Sequence, residues 1–125
     1  MKWLVLESWT LLFYFEVVMR FRNFEVLHEI VREEKIRFAD DSTPPSSADL
    51  CHAVDLACVF YFKQVMCLQR SAATTLLLRR YGWAAEMIIG AEVLPFRSHA
   101  WVEIKDTIVN DRPYMLDIYR VLERC

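Results

Sequence analysis

Residues 67–80 read CLQRSAATTLLLRR, and this stretch decides the fold because it puts a cysteine at the start of a helix. Gly82 follows the run and is a typical C-terminal stop for a helix. A thiol at the first helical position lies at the positive end of the helix dipole, where a thiolate is stabilised. The pattern therefore predicts a helix from about Cys67 to Tyr81 that begins with a candidate nucleophile.

Two segments downstream carry the partners that a catalytic thiol needs. HAWVEI, residues 99–104, alternates like a strand and puts His99 on the face opposite its apolar residues. TIVND, residues 107–111, is predicted as the next strand and ends at Asp111. A nucleophilic thiol is activated by a base, and that base is oriented by a third group. Cys67, His99 and Asp111 are therefore the candidate catalytic residues.

The order of these elements indicates a fold class. A nucleophile at a helix start, with its base and orienting group on a following hairpin, is the layout of papain-like and transglutaminase-like folds. We expect an α+β protein in which that helix packs on a small antiparallel sheet, preceded by a helical N-terminal segment. A strand at about Ala84–Ile89 belongs to the predicted sheet, and residues 116–125 look like a short amphipathic tail.

Composition narrows the classes further. The 125 residues suit one domain, and a formal net charge of −2 argues against broad binding to nucleic acid. The four cysteines show neither a CxxC pair nor zinc-type spacing, so we expect no metal and no cofactor. With 55% hydrophobic residues the chain can build a core without disulfides. We therefore expect reduced cysteines and a cytosolic protein.

The first 38 residues are predicted to form two helices. Residues 3–21 are strongly apolar, but Glu7 and Glu16 interrupt them. We expect a helix buried on most sides against the domain or a partner, with interfacial membrane attachment as the alternative and no membrane span. Residues 22–38 have an amphipathic pattern, in which His28 is interpreted as a solvated side chain.

Residues 39–47, ADDSTPPSS, are the predicted linker. Proline cannot continue a helix, and Ser46 or Ser47 can cap the helix that follows. The predicted division is a helical N-terminal segment over residues 1–41, used for packing or docking, and a peptidase core over residues 42–125.

Several motifs then occur in a characteristic order: Cys-Leu-x-Arg-Ser, Leu-Arg-Arg before a glycine, an Ile-Gly strand end, Pro-Phe followed by His-Ala-Trp-Val-Glu, and a final Asn-Asp. Over roughly residues 45–115 this set resembles the leader peptidases of lasso-peptide biosynthesis, members of the transglutaminase-like cysteine protease superfamily. The separations between Cys67, His99 and Asp111 also agree with that family's triad.

The resemblance implies a cysteine peptidase that removes the leader from a ribosomally made lasso-peptide precursor. Cys67 would attack as a thiolate to give an acyl-enzyme, His99 would act as general base and then acid, and Asp111 would orient His99. The implied partners are the precursor leader, a small winged-helix leader-recognition protein and a lasso cyclase. A noncatalytic transglutaminase-like peptide-binding module and an acyltransferase that uses the same triad are the alternatives.

The third member of the triad stays open at this point. If Lys105–Asp106 forms a two-residue hairpin turn, Ala100 lies opposite Asp111. Asp111 and His99 would then face opposite sides of the sheet unless a bulge or a twist at the strand end intervenes. Asn110 is the competitor, since papain-like enzymes use asparagine in this role.

Other positions carry two interpretations each. The Cys67 amide is one donor for an oxyanion hole, and Gln64 is either the second donor or a polar residue ending the preceding helix. Arg70 is interpreted either as part of the substrate groove or as part of a solvated helix face. Trp101 is interpreted either as part of the groove or as packing beside the histidine. Phe96 is a third candidate for the groove, whereas Glu103 is interpreted as solvent-facing.

The segment before the linker also predicts a need for a partner. Its pattern is helical and apolar, without the strand-turn-strand signal of a winged-helix domain. We therefore expect a separate recognition protein to dock on the exposed part of residues 3–21, because a monomer seldom leaves such a patch bare.

Overall fold

A computed structural model describes residues 2–37, 45–92, 96–113 and 115–125. The chain alternates helical and extended segments in the order that the hydrophobic pattern suggests. The elements are α1 (Lys2–Phe21), α2 (Phe24–Glu33), α3 (Ser47–Val59), α4 (Cys67–Arg80), β1 (Ala85–Glu92), β2 (Arg97–Ile104), β3 (Thr107–Ile108), α5 (Met115–Ile118) and β4 (Arg120–Arg124).

The strands form one antiparallel sheet in the order β3-β2-β1-β4. β1 and β2 pair along their whole length, with Gly90 opposite His99. Helix α4 packs on one face of this sheet, and α1, α2 and α3 pack on α4. The α+β class with a small antiparallel sheet is therefore confirmed.

Helix α4 is the centre of the packing. Ten of its fourteen residues are buried, which means that neighbours surround it rather than cover one stripe. Small side chains at Ser71, Ala72 and Ala73 let β2, α1 and α3 approach closely. We call the buried residues between these helices and the sheet the helical core; Leu12, Phe15, Leu50, Leu77 and Val102 are among them.

Helix α1 buries one of its faces within this chain, so burial on most sides, against the domain or a partner, stays a prediction. Leu11, Leu12, Phe15 and Val18 point into the helical core, whereas a stripe on the other side stays exposed. That stripe contains Trp3, Leu6, Phe13, Tyr14, Val17 and Phe21. Among the residues that the structure describes, no helix is long and apolar enough to cross a membrane.

The predicted linker and the division at residues 41 and 42 lie largely outside the described residues, which resume at Pro45. The predicted cap is confirmed: Ser46 Oγ accepts a hydrogen bond from the Asp49 amide at 3.1 Å and starts α3. Helix α2 begins in the same way, where the Asn23 side chain accepts from the Val26 amide at 3.0 Å.

The predicted C-terminal tail is instead part of the fold. Residues 115–118 form α5, and residues 120–124 form β4, which pairs with β1. Met115 of α5 packs on the side of the sheet that faces away from α4, and Val121 of β4 adds its side chain there from the edge of the sheet. There Ile88, Trp101 and Met115 are buried, with Tyr119 packed against them; we call these four residues the far-face cluster.

Candidate active site

Cys67 is the first residue of α4. Met66 precedes it as the N-cap residue and makes no side-chain cap, so the first amides of the helix remain available. Hydrogen bonding to His99 is the largest effect that lowers the pKa of the Cys67 thiol. Backbone amides of Ala100 and Leu68 add to it, while burial opposes it. The site therefore favours the thiolate.

His99 lies on β2 between Cys67 and Asp111. Its Nε2 is 2.5 Å from Asp111 Oδ2, which leaves Nδ1 as the ring nitrogen available to the thiol. The hydrogen bonds to Cys67 and to Asp111 raise the pKa of His99 to about 9, although burial works against them. The imidazole is therefore protonated at neutral pH.

The pKa shifts of Cys67 and His99 have opposite directions, and the hydrogen bond between the two side chains is the largest cause of both. A lowered thiol pKa beside a raised imidazole pKa favours transfer of the proton from sulfur to nitrogen. The two groups interact directly, so they titrate as a unit. Such a pair supplies a nucleophile at neutral pH and holds the proton that a leaving amine needs.

Asp111 reaches His99 because strand β3 is short. The predicted turn is present, with positive φ at Lys105 and Asp106, but β3 ends at Ile108 and not at Asp111. The Asn110 side chain then takes the place of a backbone carbonyl, since its Oδ1 accepts from the Val102 amide at 2.7 Å. The ladder stops there, and the chain after it bends toward the imidazole.

Asn110 and Arg70 hold this bend in position. Asn110 Nδ2 donates to Ser71 Oγ at 3.3 Å, and Arg70 donates to the Asn110 carbonyl while its Nε lies 3.2 Å from Asp55 Oδ1. Asn110 therefore braces the strand end, and Arg70 is engaged with protein groups and does not line the cavity beside the thiol.

An aromatic pair supports the imidazole from the far-face cluster. The ring centroids of Tyr119 and His99 are 5.4 Å apart with 29° between the planes, and Trp101 lies 6.2 Å from His99. Trp101 is fully buried, which agrees with the interpretation of packing beside the histidine and not with a place in the substrate groove. Gly90 makes room for the pair: a Cβ there would be 2.7 Å from the Trp101 ring and 2.9 Å from Tyr119 Cβ.

Glu103 is also buried, which corrects the expectation of a solvent-facing side chain. Its Oε2 accepts from Trp101 Nε1 at 2.8 Å, and its Oε1 lies 3.2 Å from Arg124 Nη1 on β4. The alternation of HAWVEI was interpreted correctly, but the residues that cover this second face come from the C-terminal segment. Glu103 thus fixes the orientation of the tryptophan below the histidine.

Gln64 and Phe96 lie apart from these groups. Gln64 is exposed on the connection that leads into α4. Phe96 is 76% exposed ahead of β2 and does not line the cavity beside Cys67. Neither side chain contacts the paired thiol and imidazole in this conformation.

A cavity of about 300 Å³ opens beside the thiol. Cys67 and His99 form one wall, and the rest comes from α2, α4, β1 and β2; the other lining residues are Phe24, His28, Leu68, Ile89, Ser98 and Ala100. His28 is therefore not the solvated side chain that the helical pattern suggested. Its only sequence signal was its position one turn after Phe24 on the same helix face.

Comparisons with known proteins agree with this architecture. The family model described as the transglutaminase-like superfamily matches residues 11–124. Over 56 residues the chain is 38% identical to the "Microcin J25-processing protein McjB" of Escherichia coli. This matched stretch covers 45% of this chain and 27% of that protein. The chain thus spans about a quarter of the length of this relative. No solved structure matches. Because the family match extends over most of the chain and its fold, the protein belongs to the transglutaminase-like superfamily.

Proposed function

We propose that this protein is a cysteine peptidase that removes the leader from a lasso-peptide precursor. The observation that carries the proposal is the arrangement of Cys67, His99 and Asp111, in which a thiol with a lowered pKa faces an imidazole held by a carboxylate. The similarity to a microcin-processing protein supports the substrate class.

The reaction follows from the ion pair. The Cys67 thiolate attacks the carbonyl carbon of the scissile amide, and the oxygen takes up the negative charge of a tetrahedral intermediate. The His99 imidazolium gives its proton to the leaving amine, so the C–N bond breaks and an acyl-enzyme remains. The neutral imidazole then takes a proton from water, whose oxygen attacks the thioester and releases the acid. Asp111 keeps the ring oriented throughout.

The oxyanion hole is assigned to two donors. The Cys67 amide is at the free N-terminal end of α4, where backbone N–H groups are not used by the helix. Gln64 is proposed as the second donor because it is exposed three residues before the thiol, whereas Gln69 is already bonded to the Leu12 carbonyl at 2.8 Å. Gln64→Ala should lower kcat by roughly 10²-fold or more if the assignment holds; an unchanged kcat would remove it.

The decisive experiment compares two half-buried cysteines. Cys67→Ala should abolish precursor cleavage, measured by mass spectrometry, because no other group replaces the thiolate. Cys58→Ala is the matched control, since burial raises the pKa of the Cys58 thiol and leaves it inert. Both variants should keep the wild-type circular dichroism spectrum. Normal cleavage by Cys67→Ala would end the proposal.

Two other outcomes identify the alternatives. An acyltransferase would form the same thioester but release it to an amine, so the product would carry an amide and not a free acid. A noncatalytic peptide-binding module would bind the leader without cleaving it in either protein. All four cysteines are free thiols, which supports a reducing, cytosolic setting for the reaction.

We also propose that a winged-helix recognition protein presents the leader by docking on α1. The support is the exposed stripe on this helix, where Trp3 is 80% and Phe21 73% exposed. Trp3→Glu should reduce cleavage stimulated by the recognition protein and leave slow unstimulated cleavage unchanged. Val59→Glu is the control, because Val59 is equally exposed but lies on α3. Equal stimulation of both variants would reject this docking surface.

A further inference from the structure

The cavity beside the thiol is the strongest feature that the triad itself does not explain. It shares Cys67 and His99 with the reactive pair and extends away from them between α2 and the sheet. A peptide whose scissile carbonyl meets the thiolate brings the side chains next to that bond close to this opening. The cavity volume of about 300 Å³ is large enough for a bulky side chain.

The walls of this cavity are apolar. Leu68 follows the nucleophile on α4, Ile89 comes from β1, and Phe24 closes the side formed by α2. Ala100 adds a small apolar surface at the base of β2. A charged side chain would lose its hydration there without gaining a partner, whereas an aliphatic or aromatic one would exchange water for carbon contacts.

His28 is the one titratable group in the lining besides the reactive pair. Burial is the main effect that lowers the pKa of His28, and Arg32 adds to it, so both favour the neutral ring. Glu25 on the same helix opposes this shift, and Nδ1 of His28 lies 3.3 Å from Glu123 on β4. With Glu123 behind a neutral ring, the far end of the cavity offers nothing that favours an acidic side chain.

We propose that this cavity is a specificity subsite that takes a large apolar side chain of the substrate on the acyl side of the scissile bond. The inference rests on the proposed peptidase function and deepens it, since Phe24 and His28 of α2 become determinants of which leader is cut. A hydrophobic pocket discriminates between side chains by about 10- to 200-fold in kcat/KM.

Dipeptidyl aldehydes test the subsite without requiring amide cleavage. The Cys67 thiolate adds to the aldehyde carbon, and the His99 imidazolium gives its proton to the oxygen, so a reversible hemithioacetal forms. We expect leucine or phenylalanine in one of the two positions to protect Cys67 from iodoacetamide at concentrations at least tenfold lower than aspartate. Equal protection by apolar and acidic peptides at both positions would overturn the proposal.

One pair of variants and a third variant locate the effect. Phe24→Ala should weaken protection by the apolar aldehyde severalfold, whereas Phe60→Ala, at a similarly exposed phenylalanine outside the cavity, should not. Ser98→Phe narrows the cavity from an exposed wall position and should shift the preference from leucine to alanine. Identical behaviour of the two phenylalanine variants, together with no shift for Ser98→Phe, would place specificity elsewhere. Selective protection without precursor cleavage would reject the peptidase but keep the subsite.

Discussion

The two sides of the sheet are built very differently. The helical core is large, is supplied by four helices, and buries polar side chains such as Gln69, Thr75 and Arg79 among its apolar ones, each with a hydrogen-bond partner. The far-face cluster is small, draws Met115 from α5 and a contact from Val121 of β4, and contains an aromatic pair beside the imidazole with a buried carboxylate next to it. The first side should therefore determine whether the chain folds, and the second how well His99 is aimed.

Leu77→Ala should produce the largest change in stability. Leu77 is fully buried on α4, the same helix that carries the nucleophile, and its truncation should lower the free energy of unfolding by about 2–5 kcal/mol. The rate of the remaining folded protein should stay near the wild-type value at low temperature. Chemical denaturation and a kcat measurement at 10 °C check this; a collapse of kcat in folded protein would contradict the division between the two sides.

Gly90→Ala should lower both the free energy of unfolding and kcat, with the larger effect on kcat. The new Cβ would meet the Trp101 ring and the Tyr119 side chain at less than 3 Å, so the aromatic pair must move. Overpacking of this kind costs about 1–3 kcal/mol, and the displaced pair would no longer support His99. We expect kcat to fall by more than the unfolded fraction of the protein accounts for. Wild-type kcat with lowered stability would show that the aromatic pair does not position the imidazole.

The pH dependence of cleavage tests how the far side of the sheet affects the charge of His99. Cleavage by the wild-type protein should fall as pH rises through about 9, where His99 loses the proton that the leaving amine needs. Asp111→Asn removes one source of that raised pKa, so the alkaline limb should move to lower pH by about one unit or more. The hydrogen bond to Cys67, which is the larger source, remains. An unmoved limb would mean that Asp111 orients the ring without stabilising its charge.

Tyr119→Leu should give the smallest effect. An aromatic face near an imidazolium stabilises the cation by about 0.5–1 kcal/mol, and leucine keeps most of the packing without it. Loss of this stabilisation lowers the pKa of His99, so the alkaline limb should move down by less than one pH unit. Tyr14→Leu is the control, since Tyr14 lies on α1 away from the site. A shift of equal size in both variants would contradict a specific role for Tyr119.

Local patterns predicted the elements that carry their own signals. The start of α4 at Cys67, its end before Gly82 and the cap at Ser46 each depend on a few neighbouring residues. The two-residue turn at Lys105–Asp106 is of the same kind. In all of them the deciding interactions span fewer than five residues, so a single sequence contains the necessary information.

The features that the sequence did not predict all depend on distant partners. The register argument assumed that β3 continues its ladder of backbone hydrogen bonds. Instead the ladder ends where the side chain of Asn110 accepts the hydrogen bond of the Val102 amide. Glu103 and Trp101 alternate as expected, but Glu103 is buried between Trp101 and Arg124, which comes from the edge strand β4. His28 looked solvated on an isolated helix, yet packing of α2 beside the sheet puts it in the cavity. None of these contacts can be read from the spacing of residues along the chain.

The position of β4 at the edge of the sheet has a consequence for dynamics. None of the residues of β4 is fully buried, and the strand lies at the edge of the sheet next to β1 alone. Segments with so few buried contacts open at a lower free energy than the whole molecule. We therefore expect backbone amides of β4 to exchange with deuterium faster than those of α4. When this segment opens, His99 loses its aromatic support while the helices stay folded, so moderate warming should inactivate the protein reversibly before it melts.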